Sequence, residues 1–363
     1  MQSKKIMILA NHDLVIYNFR KELILTLLEQ KHEVYLVCPY GERLKPLIEA
    51  GARFIDIPIE RHGLNPFNEL KLFKNYRKVI QSVGPDLIMS NTIKPNLYSS
   101  MIAKKMKIPY VISVTGLGTL AQQKNLLAKV IEKMFQRYYQ EALAIVVENN
   151  TIYQYFSSLL SNANIVLVGG SGVNLTEYQY DHDPRKSDNI HIGFIARIMK
   201  DKGIEEYLDM VEKIKKDYSN VSFHVAGFID GPYHNHIQDF QTRGLIQYHG
   251  FLANSKPLLR DLDAVVLPSY HEGLSNILLE AAAMQRVVIA SNIPGCKETF
   301  IENESGFSCI PKNVNSLYQA VVQFLDLSSD QRKAMGLKAR RHVEQYFNRD
   351  TITQTYVSFL DKL

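Results

Sequence analysis

The sequence predicts an α/β fold made of two Rossmann-like domains that face each other across a cleft. Three observations predict this class. Short β-branched apolar runs alternate with amphipathic helical patterns, the alternation restarts after a glycine-rich break at 169–174, and the chain of 363 residues is long enough for two hydrophobic cores. Such alternation is typical of parallel strands joined by crossover helices.

Each predicted strand is a short apolar run. In the first half they are, in order, KIMILA, HEVYLVC, RFIDI, DLIMS, YVISV, AIVVE and IVLV. In the second half they are IHIGFIA, VSFHVAG, IQYHG, AVVLP, VVIAS and GFSCI. Between the two sets, GGSGVN and the polar stretch YDHDPRKSDN are typical of a hinge and linker.

The domain boundaries follow from this restart. We expect an N-terminal Rossmann-like domain over residues 1–168, a C-terminal one over 169–345, and a helix over 346–363 that packs at the domain junction. Because ligands of open α/β sheets bind beyond the carboxyl ends of the strands, the ligand site is expected in the cleft.

Composition excludes several protein classes. The three cysteines, Cys38, Cys296 and Cys309, are far apart and lack metal-ligand spacing, so neither a disulfide framework nor a zinc site is indicated. The apolar run after the N-terminal lysines is about five residues long, too short for a secretory or membrane-spanning segment. We therefore expect a cytoplasmic protein.

Charge is distributed unevenly. Residues 1–170 contain 21 Lys and Arg against 13 Asp and Glu, whereas residues 171–363 contain 21 against 24. The basic half fits an anionic partner, although basic patches on solvated faces are common. Two basic segments, 121–140 and 71–80, could lie on an anionic membrane at the inner face of the cell. The alternative is that both are crossover helices packed on the sheet. No nucleic-acid partner is expected.

Two glutamates bracket a predicted helix N-terminus in HEGLSNILLEAAA. Glu272 lies in the loop after the strand AVVLP, and Glu280 lies more than one turn inside the helix that begins near Ser275. Carboxylates accept hydrogen bonds from vicinal hydroxyls, and helix N-termini bind phosphate. A nucleotide sugar presents sugar, diphosphate and ribose in this order. The alternative is that Glu272 only interacts with the helix dipole and Glu280 is solvated.

Two cations follow the first strand of the second half. In ARIMKDKGIEEYL, Arg197 lies at the strand end and Lys202 just before a helix. Cations at a strand end can neutralise a diphosphate leaving group without a metal ion. The alternative is that both are surface cations on a βα loop.

These motifs together resemble glycosyltransferase family 4, the retaining enzymes of the GT-B fold. The resemblance covers nearly the whole chain and rests on ARIMKDKG, VAGF, YHGF at 248–251, LPSYHEGLSNILLEAAA and SNIPGCKE. In the first half, YNFRKELILTLL, SVTGLGTL and VGGSGVN are similar to segments of bacterial capsule and O-antigen hexosyltransferases.

The resemblance implies roles for individual residues. Arg197 and Lys202 would bind the diphosphate, and Glu272 would hold hydroxyls of the transferred sugar. The donor would further contact residues that lie in these motifs: Gly273, Leu274 and Ser275 at the distal phosphate, Glu280 at the ribose, and Phe251 at the nucleobase. Gly227 of VAGF is a further candidate donor-binding residue.

The acceptor side is less clearly defined. The candidate acceptor-side residues are His12, Asn18, Arg20, Thr115 and Gly116. The chain departs from the family here, because many members have a glycine-rich loop after the first strand, whereas this one has ANHDLV. His12 is a candidate base, and the alternative is a hydrogen-bonding or solvated loop histidine.

Other motifs are expected to carry no chemistry. Asp181 and Asp183, like Asp261 and Asp263, have the Asp-x-Asp spacing of metal-dependent transferases but do not follow apolar strands, so no metal or other cofactor is expected. A dehydrogenase is disfavoured because the first strand is not followed by G-x-G-x-x-G.

The sequence therefore predicts a retaining, metal-independent transferase that moves a hexose or N-acetylhexosamine from a UDP-sugar to a lipid-linked saccharide. The expected setting is bacterial surface polysaccharide synthesis. Two alternatives remain: a UDP-sugar 2-epimerase of the same fold, and a non-catalytic nucleotide-sugar-binding protein.

Overall fold

The computed structural model describes residues 2–60, 65–116, 126–180 and 189–363, with the side chains of 126–128 left aside. The chain divides into two units. The first contains Met1–Ser171 together with Arg349–Leu363, and the second contains Gly172–Asn348.

The first unit is built on a seven-stranded parallel sheet in the order β3-β2-β1-β4-β5-β6-β7. Its strands are β1 Lys5–Leu9, β2 Glu33–Cys38, β3 Arg53–Asp56, β4 Leu87–Asn91, β5 Tyr110–Val114, β6 Ala144–Val147 and β7 Ile165–Leu167. The central strands β4 and β5 are buried throughout, and β1 is buried except at Lys5. This matches their nearly continuous apolar sequence, because crossover helices cover both faces of a parallel sheet.

Six α-helices connect these strands within the described residues: α1 Asp13–Glu29, α2 Lys45–Glu49, α3 Pro66–Val83, α4 Ile93–Met106, α5 Leu126–Tyr139 and α6 Asn150–Leu159. Local chemistry fixes their ends. The Asn65 side chain accepts a hydrogen bond from the Phe67 N–H at the start of α3, with Pro66 in the first turn, and Gly84 ends this helix with a left-handed backbone (φ +60). Asn149 caps α6 in the same way.

The second unit is built on a six-stranded parallel sheet in the order β10-β9-β8-β11-β12-β13. Its strands are β8 Ile190–Ile195, β9 Val221–Ala226, β10 Gln247–Tyr248, β11 Ala264–Leu267, β12 Val287–Ser291 and β13 Gly306–Cys309. Its helices are α7 Ile204–Asp217, α8 His234–Thr242, α9 Lys256–Asp261, α10 Asn276–Ala283, α11 Val314–Leu325 and α12 Ser329–Tyr346. One continuous apolar core surrounds this sheet.

The C-terminal segment returns to the first unit. Helix α13, Arg349–Val357, packs against α1, and Arg349 Nη1 lies 3.0 Å from Glu22 Oε1. Ile352, Tyr356 and Phe359 join the apolar core on that side of the first sheet. The segment 349–363 is thus part of the N-terminal unit.

The predicted α/β architecture is confirmed, since every predicted strand overlaps an observed one and both sheets are parallel. In each sheet the strand ends that precede the connecting helices meet at one edge. We call this the carboxyl edge of the sheet, and all of the candidate site residues except Asn18, Arg20 and Glu280 lie in loops or turns along it. No helix among the described residues is long and apolar enough to cross a membrane.

Candidate functional site

Lys202 and Glu272 meet at the carboxyl edge of the second sheet. Lys202 lies in a 3₁₀ turn between β8 and α7, and Glu272 lies in the loop between β11 and α10. Lys202 Nζ is 2.6 Å from Glu272 Oε1, and their side chains are 18% and 12% exposed. The Ser269 hydroxyl also donates to Glu272 Oε1, at 2.8 Å. The structure thus brings two of the predicted site residues together in one ion pair.

A glycine allows this approach. Gly203 has a left-handed backbone (φ +75), and a Cβ at this position would lie 2.2 Å from the Pro268 carbonyl oxygen. The Tyr270 N–H donates to the Asp201 carbonyl at 2.8 Å, which ties the two loops together. Only glycine fits here, so the lysine and glutamate loops can be in backbone contact.

Arg197 lies at the same edge, directly after β8, but its present partner is a different carboxylate. Arg197 Nη1 is 3.1 Å from Asp230 Oδ2, and the arginine side chain is 51% exposed. Asp230 follows β9 in the neighbouring loop. An exposed ion pair of this kind contributes little to stability, so the guanidinium can exchange its partner at low cost.

The predicted phosphate turn, Gly273 to Ser275, leads directly into α10. Ser275 is the N-cap of this helix, as the sequence predicts. Its N–H donates to the Gly295 carbonyl at 2.9 Å. Leu274 is buried beneath the turn in the core of the unit, whereas Gly273 is partly exposed.

The segment SNIPGCKE supports this turn. Gly295 has φ +86, and a Cβ there would lie 2.4 Å from the Gly273 carbonyl oxygen. The Gly295 N–H donates to Glu298 Oε2 at 2.7 Å. In the sequence this segment contributes only to the family resemblance, although its Pro-Gly dipeptide after a strand is itself a turn signal.

Glu280 lies one helical turn further along α10. Its Oε2 accepts a hydrogen bond of 2.6 Å from the Ser255 hydroxyl, which is 3.3 Å from the Tyr178 hydroxyl. Burial, and secondarily the Glu280 charge, raise the pKa of Tyr178 above its usual range. Glu280 is therefore a half-buried carboxylate with a hydroxyl already bound to it.

Exposed aromatic rings lie beside the ends of β9 and β10. Phe251 and Phe228 are both exposed, and their ring centroids are 6.4 Å apart. Gly227 has φ +143, and a Cβ there would lie 1.7 Å from the Ala196 carbonyl oxygen. The Gly227 N–H donates to the Gly250 carbonyl at 2.8 Å, which fixes the two loops that carry the rings.

Among the acceptor-side candidates, His12 has a structural contact. It is the N-cap of α1, and its Nδ1 accepts a hydrogen bond of 3.1 Å from the Leu14 N–H. The same nitrogen is 2.5 Å from Asp13 Oδ1. When Nδ1 caps the helix it cannot also serve as a base, so proton transfer by His12 would involve Nε2.

The other acceptor-side candidates differ in their exposure. Asn18 lies on the exposed side of α1, where its Oδ1 accepts a 3.4 Å contact from Arg43. Thr115 and Gly116 follow β5 and are partly exposed. Gly116 lines a cavity of about 10 Å³ whose wall includes the buried Asn96, enough for one water molecule. Residues 117–120 of the SVTGLGTL segment lie outside the described residues.

Arg20 is buried, with only 3% of its surface exposed. Its Nε donates to Asn91 Oδ1 at 2.9 Å, and its Nη2 donates to the Tyr356 hydroxyl at 2.9 Å. The guanidinium carbon also lies 4.6 Å from the centre of the Tyr356 ring. The Tyr356 hydroxyl is in turn 2.9 Å from Ser113 Oγ. Arg20 therefore joins α1, β4 and α13.

Glu148 lies at the carboxyl edge of the first sheet and was not among the predicted site residues. It follows β6, and burial raises the pKa of its carboxyl to about 7, against an opposing effect of the Arg20 charge. A glutamate directly after a buried apolar strand was the sequence signal, in AIVVE.

Neither of the two Asp-x-Asp pairs is assigned as a metal site. Asp261 ends α9 and Asp263 immediately precedes β11, as expected, and Asp263 Oδ2 accepts a hydrogen bond from the His191 N–H at 2.7 Å. No group of metal-ligating side chains with suitable geometry occurs within the described ranges. Asp181 and Asp183 lie outside them.

Comparison with known proteins gives the family. Residues 5–149 match a family model described as glycosyl transferase 4-like, and residues 189–327 match one described as glycosyl transferases group 1. The N,N'-diacetylbacillosaminyl-diphospho-undecaprenol alpha-1,3-N-acetylgalactosaminyltransferase of Campylobacter jejuni is 28% identical over 96% of both chains. The capsular polysaccharide biosynthesis glycosyltransferase CapM of Staphylococcus aureus is 24% identical, over 88% of this chain and 87% of its own.

Solved structures agree on the fold. A glycosyltransferase from Rickettsia africae superposes with a TM-score of 0.82 at 20% identity, covering 100% of this chain and 99% of its own. Anabaena Alr3699/HepE, solved in complex with UDP, gives 0.81 at 16% identity over 99% and 100%. Because both halves match glycosyltransferase models and the whole chain shares this fold, the protein belongs to glycosyltransferase family 4 and has the GT-B fold.

Proposed function

We propose that this protein is a retaining glycosyltransferase that moves a hexose or N-acetylhexosamine from a UDP-sugar to a lipid-linked saccharide in bacterial surface polysaccharide synthesis. One observation carries the proposal. Lys202 and Glu272 form a partly buried ion pair directly before the N-terminus of α10, so a cation, a carboxylate and a helix N-terminus occur together at one strand edge.

The relatives support the choice of substrates. The Campylobacter jejuni relative is named for an acceptor linked to undecaprenol diphosphate and for the transfer of N-acetylgalactosamine. Alr3699/HepE was crystallised with UDP, with UDP and glucose, and with UDP-glucose. These names support the proposal of a UDP-sugar donor and a lipid-linked acceptor.

The proposed mechanism uses charge and orientation. Glu272 accepts hydrogen bonds from hydroxyls of the transferred sugar and so fixes its anomeric carbon next to the acceptor. Lys202 and Arg197, with the N-terminus of α10, stabilise the negative charge that develops on the departing UDP. These groups provide the charge compensation without a metal ion in this proposal, and no covalent nucleophile is required.

The ion pair explains how the site is preorganised. Lys202 Nζ and Glu272 Oε1 lie 2.6 Å apart, and the Ser269 hydroxyl donates to the same carboxylate oxygen. Neither side chain then has to be ordered when the donor binds, which lowers the entropic cost of binding. Glu272 Oε2 remains as the acceptor for sugar hydroxyls.

The ribose and the uracil of the donor would contact separate groups of this unit. Glu280 would accept the ribose hydroxyls in place of, or together with, the Ser255 hydroxyl that it now binds. The exposed rings of Phe251 and Phe228 would flank the uracil, since exposed aromatic side chains on fixed loops favour base stacking.

A donor screen tests the proposal. Purified protein is incubated with UDP-glucose, UDP-galactose, UDP-N-acetylglucosamine, UDP-N-acetylgalactosamine and the corresponding uronic acids, and UDP release is measured with and without membrane lipid extract. We expect release with one donor only when lipid is present. An acceptor-independent change of the donor into its 2-epimer would instead establish an epimerase. UDP binding without any turnover would indicate a binding protein.

A further inference from the structure

The outer face of α3 combines exposed apolar side chains with unneutralised cations. Phe67 is 83% exposed and Leu70 is 52% exposed in the first turns of this helix. The exposed cations that follow on the same side are Lys71, Lys74, Arg77 and Lys78. Phe67, Lys71, Lys74 and Lys78 have the i, i+4, i+7, i+11 spacing of a single helical stripe. We give the name outer α3 face to the six residues Phe67, Leu70, Lys71, Lys74, Arg77 and Lys78.

The opposite side of α3 accounts for its packing. Leu72, Tyr76 and Ile80 are buried against the first sheet. The helix therefore needs no further apolar contact to be held in place, and the exposure of Phe67 is not explained by the fold. A side chain of this size exposed beside a cationic stripe indicates an interaction surface.

The acid of this helix does not neutralise the outer α3 face. Glu69 points to the inner side, where its Oε1 lies 2.6 Å from Lys94 Nζ and its Oε2 accepts a hydrogen bond from the Tyr98 hydroxyl. In the part of the chain that the structure describes, none of the four cations of the face forms an ion pair. The face thus keeps its full positive charge.

The neighbouring helix is also basic. From residue 66 to 107 the chain contains eight Lys and Arg and only two acids, Glu69 and Asp86. α4 packs against α3, and its C-terminal cations Lys105 and Lys107 are exposed. A polyanionic partner with a broad surface fits this distribution better than a small ligand does.

The other predicted membrane segment, 121–140, behaves differently where it is described. In α5, Phe135 and Tyr139 stack at 4.6 Å between ring centroids and are buried in the core of the first unit. The described part of its apolar stripe therefore packs inside, as in the alternative interpretation. Residues 121–125 lie outside the described residues. α5 also leaves Val130 47% exposed, whereas α3 combines its inner apolar stripe with two larger exposed side chains, Phe67 and Leu70.

We propose that the outer α3 face docks on an anionic lipid bilayer, with Phe67 and Leu70 entering the interfacial region and the four cations contacting lipid phosphates. Cations alone would suit any polyanion, but an exposed Phe and Leu at one end of the stripe require an apolar phase to be buried. The inference builds on the proposed lipid-linked acceptor, which is reached from a membrane surface.

Vesicle sedimentation tests the docking. The full-length protein is mixed with vesicles of phosphatidylcholine alone or with 30% phosphatidylglycerol, and the bound fraction is measured. We expect binding only to the anionic vesicles. Removing two cations in Lys74→Gln/Lys78→Gln should lower the partition coefficient about 25-fold, or roughly fivefold for each charge. Phe67→Ser should lower it roughly tenfold because the ring no longer inserts.

Matched controls come from α12, which also carries exposed cations and an exposed leucine. Lys333→Gln/Arg341→Gln removes the same charge, and Leu337→Ser removes an exposed apolar side chain. Both should change binding less than twofold. Equal losses in the α12 and α3 variants, no effect of Phe67→Ser, or no binding of the unaltered protein would each overturn the proposal.

The proposed function is tested separately in the same variants. Turnover with a detergent-solubilised acceptor bypasses the membrane, so Lys74→Gln/Lys78→Gln should keep the turnover of the unaltered protein. Loss of docking with retained turnover supports both proposals. A docking surface that behaves as expected in a protein without turnover would refute the transferase and leave the membrane surface intact.

Discussion

The carboxyl edges of the two sheets use polar side chains in opposite ways. At the second edge, Lys202 and Glu272 form one ion pair that stays in contact with solvent, and Arg197 is half exposed. At the first edge, Arg20 and Tyr356 are buried and bind each other. The two sheets share one architecture, but the second edge exposes charged side chains to solvent, whereas the first edge binds the distant helix α13.

This difference separates two kinds of functional residue. In a charged pair that remains in contact with water, each side chain can exchange the other for a ligand, because the two charges are only partly desolvated. A buried guanidinium with three hydrogen bonds cannot be exposed without leaving its partners unsatisfied. Arg20 therefore positions α13 on the first sheet, and a role toward the acceptor would act through that placement.

The largest expected effect lies at the second edge. Glu272→Gln and Lys202→Ala should each lower kcat by roughly 10² or more, the scale of preorganised charge stabilisation in active sites. The measurement is UDP release with the donor and acceptor found in the screen. The midpoint of unfolding in urea should move little, since the pair is partly solvated.

The same loops offer a matched control for this prediction. Lys200 and Glu205 lie 3.4 Å apart in an exposed ion pair on the same loop and helix. Lys200→Ala and Glu205→Gln should retain turnover within about threefold. If the control variants lost as much as Glu272→Gln does, the assignment of the inner pair would be wrong.

Much of this edge was predictable from local sequence. Periodicity identified all of the strands, and the spacing of HEGLSNILLE correctly placed Glu272 in the loop and Ser275 at the helix start. These features depend on neighbours within one turn or one strand, where a single chemical rule dominates. The binding roles of these residues stay predictions.

The first edge was not predictable in the same way. Arg20 and Tyr356 are 336 residues apart, so no local pattern indicates that they bind each other. The same limit applies to His191 of β8, His224 of β9 and His249 directly after β10, whose rings stack on one another with hydrogen bonds of 2.9 and 3.0 Å. Such contacts arise only after the strand order is set.

The second prediction tests whether the first edge is structural. Arg20→Met should lower the free energy of unfolding by about 2–3 kcal/mol, because Asn91 and Tyr356 lose a charged donor inside the protein. Tyr356→Phe, which removes only the hydroxyl, should cost about 1 kcal/mol. Arg43→Met serves as the control, since Arg43 makes a weak 3.4 Å contact at the surface. Urea unfolding of the first unit, monitored by near-UV circular dichroism, measures the free energy of unfolding of all three variants.

The opposite result would remove the contrast between the edges. A stable Arg20→Met protein with a raised KM for the acceptor and an unchanged kcat would make Arg20 a direct acceptor contact. A destabilised Arg20→Met protein whose KM is unchanged would leave it a purely structural residue.

The smallest effect is a pH dependence that belongs to the first edge alone. Burial raises the pKa of Glu148 from 4.5 to about 7, with Arg20 opposing the shift, so the folded protein binds this proton more tightly than the unfolded chain does. The stability that it confers is present below the unfolded pKa and is lost as pH rises through about 7. Since Glu148 is partly exposed, we expect a loss of about 1 kcal/mol between pH 5 and pH 8 from this group.

Glu148→Gln should abolish that part of the slope and raise the urea midpoint at pH 8, whereas Glu49→Gln, at the exposed end of α2, should leave the slope unchanged. Because the Arg20 charge lowers the pKa of Glu148, Arg20→Met should steepen the slope. A slope that Glu148→Gln leaves unchanged would show that Glu148 does not produce it, and a slope that Arg20→Met leaves unchanged would show that the two charges do not interact across this edge.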